Sequence, residues 1–308
     1  MELRHLRYFL AVAQTQHMTH AAERIHVTQS TLSHQINQLE QLLGVTLFDR
    51  IGRGIRLTQA GELFRGFAQR ALKEMEDARD ALGELENVVR GSLRVGVIHT
   101  YNSTLVPPII ARFLTSHPRV KINIEDLTAL AIEQGLTEGE LDLGIAFAPA
   151  GPDIVEEPVF EEELVLIVNK KHPFAKKRAI RAAALGEIPL ALQTQRFATR
   201  RLIDEALGSA IGAAVRVEMS SIESLLNVVR TGLVGTIVSE HTFGRDPELA
   251  KVRITDPTTI RVAAMLWSRG RYHSPAAREF AAMFRGAYQS KSPDLQDLGA
   301  KRPRSSRT

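Results

Sequence analysis

The stretch His26–Gly44, HVTQSTLSHQINQLEQLLG, decides how the first domain is read. Leu32, Ile36, Leu39 and Leu43 follow one another at steps of four, three and four, a single apolar stripe at helical period. The entrance of this helix is crowded with Thr28, Gln29, Ser30, Thr31 and Ser33. A helix start needs one short polar side chain as a cap, and Thr28 or Gln29 is placed to supply it. The surplus forms a polar edge held in position by the stripe behind it.

The chain upstream supplies a partner for that helix. Leu3, Leu6, Phe9, Leu10 and Ala13 make one helical stripe, and a second short helix follows from Thr19, its expected cap, with Ala21, Ala22 and Ile25 facing inward. The abrupt turn at Val27-Thr28 then yields a helix-turn-helix. In that motif the first residues of the second helix meet base edges in the major groove. Packing Leu32, Ile36 and Leu39 inward leaves Ser30, Ser33, His34 and Asn37 facing away from the core. Gln pairs with adenine, and Ser and Thr serve either base type. A helical hairpin in a structural domain would share the pattern. The segment TLFDRIGRGIRLT tilts the balance: two short extended runs around Gly52 and Gly54 read as a hairpin wing with Arg53 at its tip beside the duplex. The DNA-reading set is therefore Thr28, Gln29, Ser30, Thr31, Ser33, His34, Asn37 and Arg53.

Bulk charge adds little to this reading. The 308 residues carry 39 Lys and Arg against 35 Asp and Glu, a net charge of +4. The absence of cysteine excludes disulfides, thiolate nucleophiles and Cys-type zinc sites. No apolar run approaches the roughly 20 residues of a membrane span, and the N-terminus MELRHLRYFLAVAQ reads as a helix, not a signal peptide. The expected location is the cytoplasm.

Beyond the head, Ala71, Met75, Ala78, Leu82, Leu85 and Val89 repeat at four, three, four, three and four. That heptad seam predicts a dimerising linker helix. From Gly91 onward strands and helices alternate, which predicts a mostly parallel sheet covered by helices. SLRVGVIHT, VKINIEDL and LDLGIAFAP are strands, with helices at STLVPPIIARFLTSHP and ALAIEQGLTEGE. The pattern repeats after ELVLIVNKKHPF, with IPLALQT, AVRVEMS and GLVGTIVS as strands. Two such units in tandem form a bilobed module with a cleft. The fold class is α/β: winged helix-turn-helix 1–58, linker helix 59–90, bilobed module 91–290 and a disordered basic tail 291–308. Lobe I takes about 91–162 plus 265–290, and lobe II about 163–264.

Strand ends in such a module face the ligand crevice. Three of them open helices rich in hydroxyls: His99 to Ser103, Thr194 to Thr199, and Ser220-Ser221. Each hydroxyl can simply cap its own helix. Converging helix starts also offer free N–H groups and positive dipole ends, an anion site. Arg196, Arg200 and Arg201 add charge nearby.

Enzymatic motifs are missing: there is no Walker loop, H-E-x-x-H or G-x-S-x-G, and His5, His17, His20, His26 and His34 lack metal-ligand spacing. The sequence calls for no catalytic residues, no cofactor and no metal. A periplasmic solute-capture protein would share the bilobed module but not the head.

The head resembles, over its whole length, the winged helix-turn-helix of the LysR-type transcriptional regulators. The resemblance rests on Ala21-Ala22, Gln29, Leu32-Ser33, Gln35-Ile36, Leu39-Glu40, Leu43-Gly44, Leu47-Phe48, Arg50 and Leu57 to Gly61. It extends to about residue 290. Ser30 stands where Pro is common, and His34 where Arg is common, which removes a permanent charge and a bidentate donor. The resemblance implies an operator-binding dimer or tetramer joined through the linker helix. It also implies an activator working with RNA polymerase and a small effector between the lobes. Carried over residue by residue, it places Thr100, Ser103, Thr128 and Thr199 on the effector, with Asn102 and Ser221 beside them. The sensor is also similar to the cyanate-responsive branch of the family through Phe197-Ala198-Thr199-Arg200. A cyanate-sized anion fits hydroxyls, N–H groups and the aromatic walls Phe147 and Phe197.

Overall fold

The computed structural model describes residues 1–51, 54–84, 91–147, 150–242 and 246–288. The chain forms two compact units.

The first unit begins with α1 (Leu3–Thr15), α2 (Met18–Arg24) and α3 (Gln29–Leu43). Their shared core is built from Leu6, Phe9, Val12, Ala21, Ala22, Leu32, Ile36 and Leu39. Ala21 and Ala22 are fully enclosed, and their small size lets the helices approach closely. The start of α2 differs from the sequence expectation. His17, not Thr19, occupies the cap position and makes no side-chain cap bond. The turn is set by Thr15, whose hydroxyl accepts from the His17 N–H (3.4 Å). At the far end of α3, Gly44 adopts φ 70° and closes the helix with its N–H on the Glu40 carbonyl, a conformation glycine takes without steric cost.

The wing is an antiparallel pair, β1 (Phe48–Ile51) and β2 (Gly54–Leu57), with Ile51 opposite Gly54. Glu40 of α3 fastens it, accepting from the N–H groups of Leu47 (2.7 Å) and Phe48 (3.1 Å). Arg53 lies outside the described residues. Helix α4 (Gln59–Glu84) follows. Leu63, Phe67, Met75 and Leu82 of α4 are all more than half exposed. Leu85 and Val89 of the expected seam lie outside the described residues.

The second unit holds both lobes. Lobe I starts with β3 (Gly91–Val97), α5 (His99–Thr104), α6 (Val106–Ser116), β4 (Val120–Asp126), α7 (Ala129–Glu138) and β5 (Leu143–Phe147). Where one helix was expected from Ser103 to a stop at Pro118, the chain forms two. Pro107 and Pro108 sit in the first turn of α6, where a missing N–H costs nothing, so the chain breaks at Leu105.

Strand β6 (Ile154–Asn169) then runs 16 residues from lobe I into lobe II. Lobe II contains β7 (Ala179–Arg181), β8 (Leu190–Gln193), α8 (Ala198–Ile211), β9 (Val215–Met219), α9 (Ile222–Arg230), β10 (Thr236–Ser239) and β11 (Leu249–Thr255). Two apolar clusters build its core, one including Ile203, Leu207 and Ile211 of α8, the other Leu225 and Val229 of α9. Strand β12 (Ile260–Ser268) returns to lobe I, followed by α10 (Pro275–Tyr288).

The sheets are mixed, not mostly parallel. The order is β4-β3-β5-β12-β6-β11-β7, with β10 also on β6. The β4-β3-β5 side is parallel, whereas β12 is antiparallel to β5 and to β6. The cause is the double crossing between lobes: one strand leaves and its neighbour returns. The returning strand begins at Ile260, opposite Glu163, five residues before the expected boundary of 265.

Candidate functional site

On α3 the apolar side is complete and the polar edge is free. Leu32, Ile36 and Leu39 are 0–3% exposed, each contributing about 1.5–3 kcal/mol of burial. Thr28 is the cap: its Oγ1 accepts from the Thr31 N–H at 3.2 Å. It also shares hydrogen bonds with the hydroxyls of Ser30 (3.0 Å) and Thr31 (2.8 Å). Gln29, Ser30, Thr31, His34 and Asn37 are exposed, while Ser33 is half-buried. Thr28 through Thr31 thus form one hydroxyl-rich rim, with Gln29 unencumbered. His5, one of the five head histidines, is enclosed, with its Nδ1 accepting from the Glu2 N–H (3.0 Å). Among the described residues no cluster of three or more His, Cys, Asp or Glu is arranged for a metal ion.

In the second unit, a cavity of about 20 Å³ opens between the starts of α5, α7 and α8. A volume of this size holds about one water molecule. Five predicted residues line it: Thr100, Thr128, Phe147, Phe197 and Thr199. Asn102, Ser103 and Ser221 do not. Ser103 Oγ donates back to the His99 carbonyl (3.2 Å). Ser221 caps α9, accepting from the Ser224 N–H at 3.3 Å. Asn102 is half-buried on α5 but absent from the lining.

Each threonine hydroxyl oxygen in the cavity already accepts a hydrogen bond. Thr100 and Thr199 accept from the Arg261 guanidinium, at 3.3 and 2.6 Å. Thr128 accepts from the Ala131 N–H at 3.3 Å. A hydroxyl used as acceptor keeps its proton to donate. Helix α8 adds to this: it starts at Phe197 with no side-chain cap, so its first N–H groups have no partner within the helix. Gln193, 5% exposed, also lines the cavity, and its amide makes no hydrogen bond among the described residues. Donors dominate.

Arg261 and Glu162, which the sequence reading missed, do not line the cavity, but Arg261 bonds two of the threonines that do. Arg261 and Glu162 lie directly opposite on β12 and β6 and form an ion pair with both side chains at most 1% exposed. Burial alone depresses the Arg261 pKa, but Tyr101 and Glu162 more than offset it, and the net direction is up. Tyr101 is raised well above 10.0, chiefly by burial. Arg200, expected to lend charge to the cleft, is committed to Asp204 (2.8 Å), Glu218 (2.8 Å) and the Gln193 carbonyl (2.7 Å). Arg196 stacks on the Phe197 ring at 4.8 Å.

A winged helix-turn-helix head followed by a two-lobed α/β module defines a ligand-responsive transcriptional regulator. Residues 3–62 match the bacterial regulatory helix-turn-helix protein, lysR family, and residues 86–289 match the LysR substrate binding domain. The chain therefore belongs to the LysR family: it is a DNA-binding transcriptional regulator with an effector-binding domain. It is 32% identical to a probable RuBisCO transcriptional regulator of Cyanophora paradoxa, covering 96% of this chain and 94% of that one. It is 30% identical to the RuBisCO operon transcriptional regulator of Allochromatium vinosum, over 91% and 94%. Among solved structures it is similar to full-length OxyR of Pseudomonas aeruginosa (29% identity, TM-score 0.74, 92% and 93% covered). It is likewise similar to CbnR complexed with its target DNA (25%, TM-score 0.68, 93% and 100% covered). The Cyanophora paradoxa and Allochromatium vinosum relatives are named for RuBisCO control, not for the cyanate-responsive branch to which Phe197–Arg200 pointed. Among the described residues no helix is long and apolar enough to cross a membrane.

Proposed function

We propose that this regulator is switched by a compact monoanion bound between the lobes. The observation that carries the reading is the donor excess: three hydroxyl oxygens already accept N–H bonds, so their protons remain to be donated. A small ligand made only of acceptors satisfies them. The nearest guanidinium is already neutralised by Glu162, which favours one negative charge over two. Phe147 and Phe197 supply apolar walls. Cyanate and formate belong to this class; acetate is larger, and bicarbonate carries a donor of its own, so both serve as comparisons.

In the head, Gln29, with Ser30, Thr31, Ser33, His34 and Asn37, reads bases, and Arg53 at the wing reaches the duplex backbone or minor groove. The exposed stripe of α4 joins two copies, and two such dimers pair into a tetramer. The regulator works in the cytoplasm as an activator with RNA polymerase. By likeness to its relatives named as RuBisCO regulators, this reading assigns it a RuBisCO operon as target.

The test is a thermal-shift series with sodium salts of cyanate, formate, acetate, bicarbonate and phosphate. A cognate anion at 100 times its Kd stabilises by about 2.7 kcal/mol. Cyanate and formate should raise the Tm of the parent chain more than acetate, bicarbonate or phosphate do, and Thr100→Val with Thr199→Val should abolish the rise. Equal shifts in parent and variant would move the site elsewhere.

A further inference from the structure

Two enclosed charges sit where the strands cross between lobes. Arg261 Nε donates to Glu162. The guanidinium's other two nitrogens then divide: Nη1 donates to Thr199 of α8, in lobe II (2.6 Å), and Nη2 to Thr100 of α5, in lobe I (3.3 Å). Glu162 divides the same way. It accepts from the Tyr101 hydroxyl of α5 in lobe I and from the Ser239 hydroxyl at the end of β10 in lobe II. Each charge therefore holds one hydroxyl from each lobe. The guanidinium is further confined by the rings of Phe147 (4.8 Å) and Tyr101 (5.4 Å).

Such a centre resists partial opening. A change of lobe angle that lengthens one arm leaves a buried donor or acceptor unpaired in a low-dielectric site, where the cost is steepest. Simple packing would not need four hydroxyls drawn evenly from two lobes. Networks of this kind favour discrete arrangements over graded ones.

We infer that the Arg261–Glu162 pair is a hinge latch and that Arg261 is a positioning residue for the effector. It fixes the lobe angle and aims the Thr100 and Thr199 protons into the cavity. An anion there pulls on the same two hydroxyls that Arg261 holds, so occupancy and lobe angle are linked. The role assigned to these protons rests on the effector reading above; the latch itself does not.

The chain has no cysteine, so two introduced cysteines can carry spin labels without interference. Lys121→Cys on β4 and Lys171→Cys beyond β6 mark exposed points of lobes I and II. Their separation is measured by pulsed dipolar spectroscopy in the full chain, diluted with unlabelled protein to suppress distances between copies. The parent should give one narrow distance distribution. Arg261→Met and Glu162→Gln should broaden or shift it. Because these two variants risk misfolding, Arg261→Lys and the Thr100→Val/Thr199→Val pair are the deciding ones. Both leave an ion pair and the arms of Glu162 but cut the two arms of Arg261, and both should broaden the distribution, Lys less than Met if Met folds. Distributions for these two that coincide with the parent would overturn the latch, since loss of stability alone does not move a distance in folded protein. If the salts fail to stabilise the chain while the distributions broaden, the effector reading falls and the latch stands. If salts bind and distributions do not move, the reverse holds.

Discussion

At residue 61 the chain has no room for a side chain: a Cβ there would lie 2.2 Å from the Leu47 carbonyl oxygen. That carbonyl accepts from the Thr58 N–H (2.9 Å), so the wing and the start of α4 are seated against each other at this point. Gly61→Ala should destabilise the head by about 1–3 kcal/mol, as overpacking does, seen as a lower midpoint in urea. Gln29 should behave differently. Gln29→Ala should leave stability alone and lose about 1–3 kcal/mol of discrimination at one base pair. Affinities for operator variants at that pair would then converge; an unaltered preference would remove Gln29 from the readers. Tyr101 makes a pH prediction. Its folded pKa is raised above 10.0 by burial, so the folded chain keeps a proton that the unfolded chain releases. Its contribution is complete below about pH 10 and is lost as pH rises toward the folded value. Thermal melts between pH 8 and 11 should fall more steeply for the parent than for Tyr101→Phe.

Helices and strands repeat a pattern over many positions, and that redundancy made most of them legible. The stripe of α3 and the extended runs of the wing could be read directly, as could the strands before α8 and α9, while the choice of Thr28 over Gln29 as the cap needed the structure. Arg261 and Glu162 could not. They are 99 residues apart and look like ordinary charges on strands; only the β6–β12 register brings them face to face. The hydroxyls after strand ends were visible as a set, but which of them face the cavity depends on helix phase. That phase turned Ser103 back onto α5 and made Ser221 a cap. For α4, the exposed stripe gives the element-scale prediction. Leu82→Asp should weaken association through this helix, with a smaller species in sedimentation and weaker operator binding; an unchanged assembly would place the interface elsewhere.

For the whole molecule, the order of head, linker helix and bilobed module was readable because each part has its own period. Operator binding should carry a strong salt dependence. If Arg53 neutralises a phosphate in each head, Arg53→Ala should reduce the slope of log K against log salt by about one unit per contact. A slope equal to the parent's would remove Arg53 from the phosphate contacts.

The double crossing also sets the order in which the module is completed during synthesis. Strand β12 lies in the middle of the lobe I sheet, between β5 and β6, yet it is made after every strand of lobe II. Until residue 268 has left the ribosome, β5 presents an unpaired edge, the kind of surface that invites wrong partners. Lobe II has all its strands before lobe I does. A pause in translation near Ile260 should therefore harm lobe I far more than lobe II, and it leaves the Thr100 and Thr199 hydroxyls without the Arg261 guanidinium that holds them.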